Sequence, residues 1–336
     1  EMNDIEKLYL KPFKSKRGGM FYNLFSYPTK IAPETIAIYI ATHTMPGDTV
    51  LDMFGGSGST ALAALMCEHP TSSMIEEANK LNINPVWGAR NAIIYEIGKF
   101  GSFATKVLTN EPDANLFEEA ANDLLSRADR EIGHFYDARD PNGNTGVIRH
   151  AIWSDIVSCP SCGYEEVYYK IAVRKNPVKF LKTVTCPNCG SENNINDYID
   201  VIESYKDIIT SDNGKRRKRV PVLIYGLTGK RNWVRPFTKK DYCNVEPIIN
   251  TVNTKIVPQK IIWGDLHRSG YHVGIEFLHQ FYTVRNFAVF SRLWDMTYDY
   301  PIKVRPALQL WLLSYNQSHS TLMSRVVAKN GQNDFV

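Results

Sequence analysis

Residues 50–60 read VLDMFGGSGST, and this stretch decides the fold of the N-terminal part of the chain. An apolar run ends in Asp52, three glycines follow, and the next segment, GSTALAALMCEH, carries apolar residues at helical spacing. This order predicts a strand, a glycine turn and a helix. Glycines leave the backbone N–H groups at the helix start open to close approach by a ligand. Taken alone, the loop fits a dinucleotide fold, an S-adenosylmethionine fold or merely a tight turn.

Two further features narrow the choice of ligand. The loop lacks the pattern GxxxxGK[ST], which excludes a phosphate-binding P-loop with its lysine. A second predicted strand, NAIIYEI, ends near Glu96. An acidic residue at the end of the strand after a glycine loop can accept hydrogen bonds from both ribose hydroxyls. By itself Glu96 could be a solvated strand end, but together with the loop it favours a nucleoside ligand.

Composition places the chain among globular proteins. It has 336 residues, 43% hydrophobic and 22% charged, with a net charge of +4. No apolar stretch approaches the roughly 18 residues that span a bilayer, and the N-terminus lacks the pattern of a signal peptide. Four of the six cysteines lie in CxxC pairs, which favours a reducing compartment. We therefore expect a cytoplasmic protein without a membrane partner.

The composition changes along the chain and predicts four segments. Residues 1–20 form a polar, basic arm, and residues 21–146 an α/β domain that ends in the turn-rich DARDPNGNTG. Residues 147–260 contain short β-like runs, both CxxC pairs and a basic segment. Residues 261–336 return to a helical pattern.

The sequence from residue 21 onward resembles DNA amino-methyltransferases, which make N6-methyladenine or N4-methylcytosine. Tyr27, Pro28, Thr29 and Lys30 match the Pro-Thr-Lys element that opens a helix in that family, called motif X. The residues that match its glycine loop, motif I, are Asp52, Phe54, Gly56, Ser57, Gly58 and Thr60. GARNAIIYEIGKFGSF is similar to the following motif II. Met53 departs from the family, which usually has proline there, and the connection between the helix and the second strand is longer than in the compact form.

The resemblance implies an α/β fold with a Rossmann-like class I methyltransferase sheet that binds S-adenosylmethionine. It places the methionine part of the cofactor at Phe54 and the loop amides, the ribose at Glu96, and residues 21–30 over the methionine end. The expected cofactor-binding residues are Tyr22, Pro28, Thr29, Asp52, Phe54, Gly55, Gly56, Ser57, Gly58, Thr60, Glu96 and Ile97.

The second strong signal is a pair of cysteine motifs, CPSCG with Cys159 and Cys162, and CPNCG with Cys186 and Cys189. Two such turns can bring four thiolates to one tetrahedral Zn²⁺, and a site filled by four cysteines is structural, not catalytic. Free thiols or redox pairs are the alternatives. The surrounding sequence resembles large DNA methyltransferases with a zinc ribbon between their cofactor and catalytic halves. We therefore expect a small β zinc-ribbon domain inserted before C-terminal helices.

Basic residues cluster beside the cysteine motifs. The run consists of Lys215, Arg216, Arg217, Lys218 and Arg219. Such a run can contact the phosphates of double-stranded DNA, or it can be a solvated loop. Further along, His279, Tyr282 and Arg285 are spaced to share one helical face. That face is either a core helix with a polar edge or a surface that packs against DNA or the target pocket.

One expected motif is missing. Amino-methyltransferases hold the target amino group with an (Asp/Asn/Ser)-Pro-Pro-aromatic motif, yet the sequence contains no Pro-Pro dipeptide. The family order would place it beyond Val336, so we expect a C-terminal half or a second chain to carry it, and we assign no catalytic residue. The expected function is that of a DNA methyltransferase of a restriction–modification or phage-defence system. The alternatives are a non-catalytic DNA-binding or regulatory subunit and an RNA methyltransferase.

Overall fold

The computed structural model describes residues 3–10, 18–27, 29–110, 113–253, 258–265, 267 and 272–319. The α-helices in these ranges are α1 (Asp4–Tyr9), α2 (Met20–Asn23), α3 (Pro33–His43), α4 (Ser59–Met66), α5 (Ser72–Lys80), α6 (Lys99–Thr109), α7 (Ala114–Ile132), α8 (Tyr168–Ala172), α9 (Glu246–Asn253), α10 (Val284–Met296) and α11 (Arg305–His319). Short 3₁₀ helices cover Gly133–Tyr136, Ile195–Asp197, Lys239–Asp241, Leu278–Phe281 and Thr297–Asp299.

The strands in the same ranges are β1 (Thr49–Asp52), β2 (Asn91–Ile94), β3 (Asp137–Arg139), β4 (Thr145–Ser158), β5 (Glu165–Val167), β6 (Val173–Arg174), β7 (Lys179–Phe180), β8 (Thr183–Thr185), β9 (Glu192–Asn194), β10 (Ile199–Asp200), β11 (Ile202–Lys206), β12 (Asn213–Arg217), β13 (Arg219–Thr228) and β14 (Arg231–Pro236). The chain is therefore of the mixed α/β class that the sequence predicts.

Two compact units divide the described residues. Unit 1 contains those up to Leu124 and Met296–Gln317, and unit 2 contains Leu125–Asp295. The segment boundaries expected from composition, after residues 20, 146 and 260, do not coincide with the boundaries of these two units. They stay predictions. Of the expected basic arm, residues 11–17 lie outside the described residues, and Asp4–Tyr9 is the helix α1.

Unit 1 has its core where α3 and α4 pack together. Four alanines at this contact, Ala37, Ala41, Ala63 and Ala64, are almost completely buried, and their small side chains let the two helices approach closely. Met74 of α5 fills the same core. Burial of such apolar side chains is the main force that holds the helices against β1.

A two-stranded parallel sheet carries the glycine loop. β1 pairs with β2 in a register that places Leu51 opposite Ile93 and Asp52 opposite Ile94. Leu51, Ile93 and Tyr95 are 58%, 49% and 61% exposed, so one face of the sheet is bare apolar surface. Parallel sheets are normally covered on both faces. The larger Rossmann-like sheet expected from the resemblance is not formed by the described residues and stays a proposal.

Unit 2 is built on an antiparallel sheet with the order β10-β4-β13-β14, and β3 and β5 also pair with β4. The long β4 takes part in each of these pairings except that of β13 with β14. Gly226 of β13 lies directly beneath the ring of Trp233, where a Cβ would overlap the indole. Trp233, Ile224 and Ala138 form the core on this side of the sheet.

The two cysteine motifs occupy equivalent places in two hairpins of unit 2. In the first, Ser158 pairs with Glu165, and residues 159–164 form the turn. In the second, Thr185 pairs with Glu192, and residues 186–191 form the turn. Both pairs of cysteines are therefore presented by tight hairpin turns.

Candidate cofactor loop and metal centre

The glycine loop of unit 1 connects the end of β1 to the start of α4, as its sequence predicts. Gly55 N–H donates to the carbonyl of Tyr95 at 2.9 Å, so the loop continues the contact between the two strands. Gly58 precedes the helix with φ +80°, a left-handed conformation that glycine adopts without strain. The loop therefore turns sharply at the carboxyl end of β1, where ligands of α/β proteins commonly bind.

Close packing explains why the loop is rich in glycine. A Cβ at Gly55 would overlap the side chain of Ile94, and one at Gly58 would lie 2.5 Å from Oγ1 of Thr105. A Cβ at Gly101 of α6 would overlap the carbonyl oxygen of Gly56 and lie 2.9 Å from Cγ of Glu96. Thr105 and Gly101 thus pack against the loop. The sequence does not predict this contact, because it joins segments about 45 residues apart and no local pattern connects them.

Asp52 holds the first half of the loop. Its Oδ1 accepts the N–H of Phe54 at 2.9 Å, and its Oδ2 accepts the hydroxyl of Thr60 at 2.6 Å. Ser57 is buried, and its Oγ lies 3.1 Å from Oγ of Ser59. Phe54 itself is 91% exposed, so its ring is open to a ligand.

Glu96 joins the loop to the segment after β2. Its Oε2 accepts the N–H of Gly56 at 2.7 Å, and its Oε1 accepts the N–H of Gly98 at 2.5 Å. Ile97, which lies between Glu96 and Gly98 in the chain, is fully exposed. The acidic side chain that the sequence predicts to bind a ribose therefore lies against the glycine loop.

A cavity of about 580 Å³ lies beside β2, between α4 and α6. Its lining includes Glu96, Tyr95, Ile94, Leu65 and Thr105. Small-molecule sites in proteins have volumes of about 300–1,000 Å³. Glu96 thus lines a cavity of the size of a small-molecule site.

Residues 21–30 pack beside the same loop. Phe25 contacts Phe100 of α6 edge to face with ring centroids 5.2 Å apart, and Tyr27 lies 3.3 Å from the position of a Cβ on Gly56. Lys30 fixes this segment, since its Nζ donates to the carbonyl of Phe21 at 2.7 Å and lies 3.9 Å from the centroid of the Phe25 ring. Burial lowers the pKa of Lys30 to about 8.

The other expected cofactor-binding residues of this segment are Tyr22, Thr29 and Pro28. Tyr22 is half-buried with its ring 5.9 Å from Nζ of Lys30, and Thr29 is exposed with φ +59°. Pro28 lies outside the described residues. Tyr27, which matches motif X but was not among the expected binding residues, is the side chain of this segment that reaches the loop.

The four cysteines of unit 2 come together as their spacing predicts. The sulfurs of Cys159, Cys162, Cys186 and Cys189 all lie within 4.8 Å of one another. Sγ of Cys159 is 4.0 Å from that of Cys189, and Sγ of Cys162 is 3.7 Å from that of Cys186. Tetrahedral Zn²⁺ with bonds of about 2.3 Å needs sulfurs about 3.8 Å apart. The described thiols can therefore hold a metal ion, and their spacing fits zinc.

The two turns share one backbone geometry. Gly163 N–H donates to the carbonyl of Cys159 at 2.9 Å, and Gly190 N–H donates to that of Cys186 at 3.0 Å. Both glycines have φ near +72°, at 73° and 71°. Burial works to raise the pKa of Cys159, but the N–H groups of Ser161 and Cys162 and the side chains of Ser191 and Cys186 prevail and lower it to about 6. The pKa of the neighbouring Cys186 thiol is raised to about 11 in turn. A lowered pKa favours the thiolate, which is the form that binds metal.

The comparison with protein families gives one match. Residues 4–100 match the family model described as DNA methylase, which covers methylases of the N6-adenine and N4-cytosine type. The N-terminal part of the chain is of this DNA methylase type. The match covers residues 21–30, the glycine loop and Glu96, and it ends before the cysteine motifs. No curated protein and no solved structure matches the chain.

The basic run beside the cysteine turns is largely paired with carboxylates. Arg217 contacts Asp155 and Asp200, Arg219 also contacts Asp155, and Arg216 contacts Glu203, with N···O distances of 2.6–3.1 Å. A further pair joins Lys218 to Glu165 at 2.8 Å. Lys215 is exposed. Most of the positive charge that the sequence shows is thus balanced within unit 2, and DNA contact by this run stays a prediction.

The proposed helical face at His279, Tyr282 and Arg285 is wrong. His279 belongs to the 3₁₀ helix Leu278–Phe281, and α10 begins only at Val284. Nε2 of His279 contacts Oδ2 of the buried Asp207 at 2.9 Å. The histidine therefore serves the packing of unit 2, in line with the core alternative.

No helix within the described ranges is both long and apolar enough to cross a bilayer.

Proposed function

We propose that the chain is the S-adenosylmethionine-binding and zinc-ribbon part of a DNA amino-methyltransferase that modifies adenine N6 or cytosine N4. The observation that carries this proposal is the contact of Glu96 with the glycine loop, which brings a ribose acceptor to the turn that follows β1. The DNA methylase match over the same residues supports it.

Side chains around the loop would contact the cofactor. The exposed ring of Phe54 would face its methionine part, and Tyr27 would cover that part from residues 21–30. Glu96 uses two acceptor positions on Gly56 and Gly98, while a carboxylate has about four. It can therefore accept ribose hydroxyls while it still holds the loop.

Bound S-adenosylmethionine would supply an electrophilic methyl group. The part of this chain in catalysis would be to orient the cofactor, with Asp52 and Glu96 keeping the loop in one conformation. The acceptor would be the exocyclic amine of a base flipped out of double-stranded DNA. The sequence contains no Pro-Pro-aromatic motif to hold that amine, so we propose that a C-terminal half or a second chain supplies it.

Cys159, Cys162, Cys186 and Cys189 would hold one structural Zn²⁺. A site with four thiolates leaves no position for substrate, so the ion would stabilise the two hairpin turns and take no part in methyl transfer. The free thiols suit the reducing, cytoplasmic setting that we propose for a restriction–modification or phage-defence enzyme.

Calorimetric titration tests the ligand of the loop. S-adenosylmethionine, NAD and ATP are each titrated into the purified chain with zinc present. We expect heat of binding from S-adenosylmethionine and none from the other two. Binding of NAD in preference to S-adenosylmethionine would assign the loop to a dinucleotide and overturn the proposal.

The missing motif favours a second candidate, a DNA-binding or regulatory subunit that keeps the fold without catalysis. A methyl-transfer assay separates the two candidates when the chain is combined with the protein that carries the Pro-Pro-aromatic motif. Transfer of labelled methyl groups to duplex DNA supports the enzyme, and a dependence of that transfer on an intact Glu96 attributes the cofactor to this chain. Transfer to structured RNA in place of DNA would identify an RNA methyltransferase.

A further inference from the structure

A divalent metal ion neutralises only part of the negative charge of four thiolates, so the protein must stabilise the rest. Four thiolates around one divalent cation carry a net charge of two minus, and Cys159 and Cys186 are only 2% exposed. Buried charge is costly unless hydrogen-bond donors compensate for it. The side chains around the sulfurs therefore show how the protein stabilises the site.

Ser191 is oriented toward one of the sulfurs. The amide nitrogen of Asn193 donates to Oγ of Ser191 at 2.9 Å, and Ser161 donates to the amide oxygen of the same asparagine at 3.4 Å. Because Oγ of Ser191 accepts from Asn193, its own hydrogen is available to another acceptor. That acceptor is Sγ of Cys189 at 3.0 Å, while Sγ of Cys159 is farther away at 3.7 Å.

This relay also connects the two turns. Ser161 belongs to the first turn, between Cys159 and Cys162, whereas Ser191 directly follows Gly190 in the second turn. In addition, the side-chain amide of Asn188 in the second turn points at Sγ of Cys162 in the first, at 3.7 Å. The turns are thus linked by polar side chains as well as by their sulfurs.

We infer that Ser191 is a positioning residue of the metal centre, whose hydroxyl donates a hydrogen bond to the thiolate of Cys189. This inference rests on the proposed zinc site and goes beyond its four ligands. A donor on the sulfur withdraws negative charge from it, which makes the thiolate a weaker nucleophile toward oxidants and keeps the ion in place.

The test uses the full chain and two variants, Ser191→Ala, which removes the hydroxyl, and Ser191→Thr, which keeps it. Tyr164→Phe is the control, because it removes an exposed hydroxyl at the end of the first turn. The measurements are zinc content, zinc affinity against a competing chelator, and the thiolate-to-metal absorption band after replacement of zinc by Co²⁺.

We expect Ser191→Ala to bind one ion with an affinity lower by about tenfold or more, a typical effect of outer-shell partners. Its Co²⁺ band should shift, whereas the bands of Ser191→Thr and Tyr164→Phe should stay unchanged. A wild-type affinity and band in Ser191→Ala would overturn the inference while leaving the zinc site intact. A wild-type chain that binds neither Zn²⁺ nor Co²⁺ would overturn the zinc proposal and the inference together.

Discussion

The carboxylate of Glu96 accepts the backbone N–H of Gly56 at 2.7 Å, so the acid that follows the second parallel strand closes onto the loop that follows the first. The two strands are neighbours, and their carboxyl ends therefore lie at the same edge of the sheet. A second bond to the N–H of Gly98 fixes the carboxylate at the start of α6. One side chain thus organises both ends of the proposed cofactor site.

Replacement of Glu96 by alanine should weaken S-adenosylmethionine binding at least tenfold, or by about 1.4 kcal/mol. The variant loses both the proposed ribose acceptor and the bond that holds the loop. Isothermal titration calorimetry measures the affinity, with Glu118→Ala on the exposed surface of α7 as the control. Equal affinities of the Glu96 variant and the wild type would refute the placement of the ribose.

Gly101→Ala should also weaken cofactor binding, although residue 101 would touch no ligand. Alanine normally stabilises a helix relative to glycine by about 0.5–1 kcal/mol. Here its methyl group would overlap the carbonyl of Gly56, and overpacking costs about 1–3 kcal/mol. Gly264→Ala is the control, since a Cβ there meets nothing within 4 Å. If Gly101→Ala raises the melting temperature and leaves affinity unchanged, the loop does not pack on α6 as described.

Zinc should be lost when Cys159 and Cys186 are both replaced by serine, because serine is a poor ligand for Zn²⁺. Elemental analysis should find about one zinc per wild-type chain and none in the double variant, with a lower melting temperature of unit 2. Cys243→Ser, outside the cluster, should keep its zinc. A folded wild-type chain without metal would contradict the assignment.

Acid should destabilise unit 2 through Asp207. Burial works to raise the pKa of this carboxyl, but donors from Gln280, Thr210, His279 and Ile209 prevail and lower it from 3.8 to about 2. The resulting stabilisation, about 2 kcal/mol, is complete above the ordinary pKa of 3.8 and disappears as the pH falls through about 2.

Urea unfolding at a series of pH values measures this dependence. Asp207→Asn should lower the stability at neutral pH and flatten its fall between about pH 4 and 2. Asp212→Asn, an exposed carboxylate in the same loop, is the control. A profile of Asp207→Asn that runs parallel to that of the wild type would show that the carboxylate is not stabilised in the folded state.

Mutations in the basic run should affect two different properties, DNA affinity at Lys215 and stability at Arg217. Lys215→Ala should reduce the dependence of duplex DNA affinity on log salt by about 0.9 if its exposed ammonium contacts one phosphate. Arg217→Ala should instead lower the melting temperature, since its removal takes the arginine partner from Asp200 and leaves Asp155 with Arg219 alone. Fluorescence anisotropy at several salt concentrations and calorimetry separate the two effects. Equal salt slopes for wild type and Lys215→Ala would remove this residue from any DNA surface.

Most of the correct predictions came from patterns within short segments of the sequence. The strand, the glycine turn and the helix at residues 50–60 follow from spacing within one short segment, and the cysteine cluster follows from two repeated motifs. Sequence alone missed partners that are distant along the chain. Gly101 packs on the loop from 45 residues away, and Asp155 neutralises arginines more than 60 residues later.

The expected face at His279 failed for a different reason. Its i, i+3, i+6 spacing fits a helix, but the chain forms a 3₁₀ turn that ends before α10 starts at Val284. The contact of His279 with the buried Asp207 fixes this turn, and such tertiary contacts override helical periodicity.

The bare face of the parallel sheet has a thermodynamic consequence. Leu51 and Ile93 lead directly into the segments that hold Phe54 and Ile97, both of which are exposed beside the loop. A protein segment that covers this face would bury groups that a bound cofactor also touches. The two binding events would then be linked, and each would change the affinity of the other by the same factor.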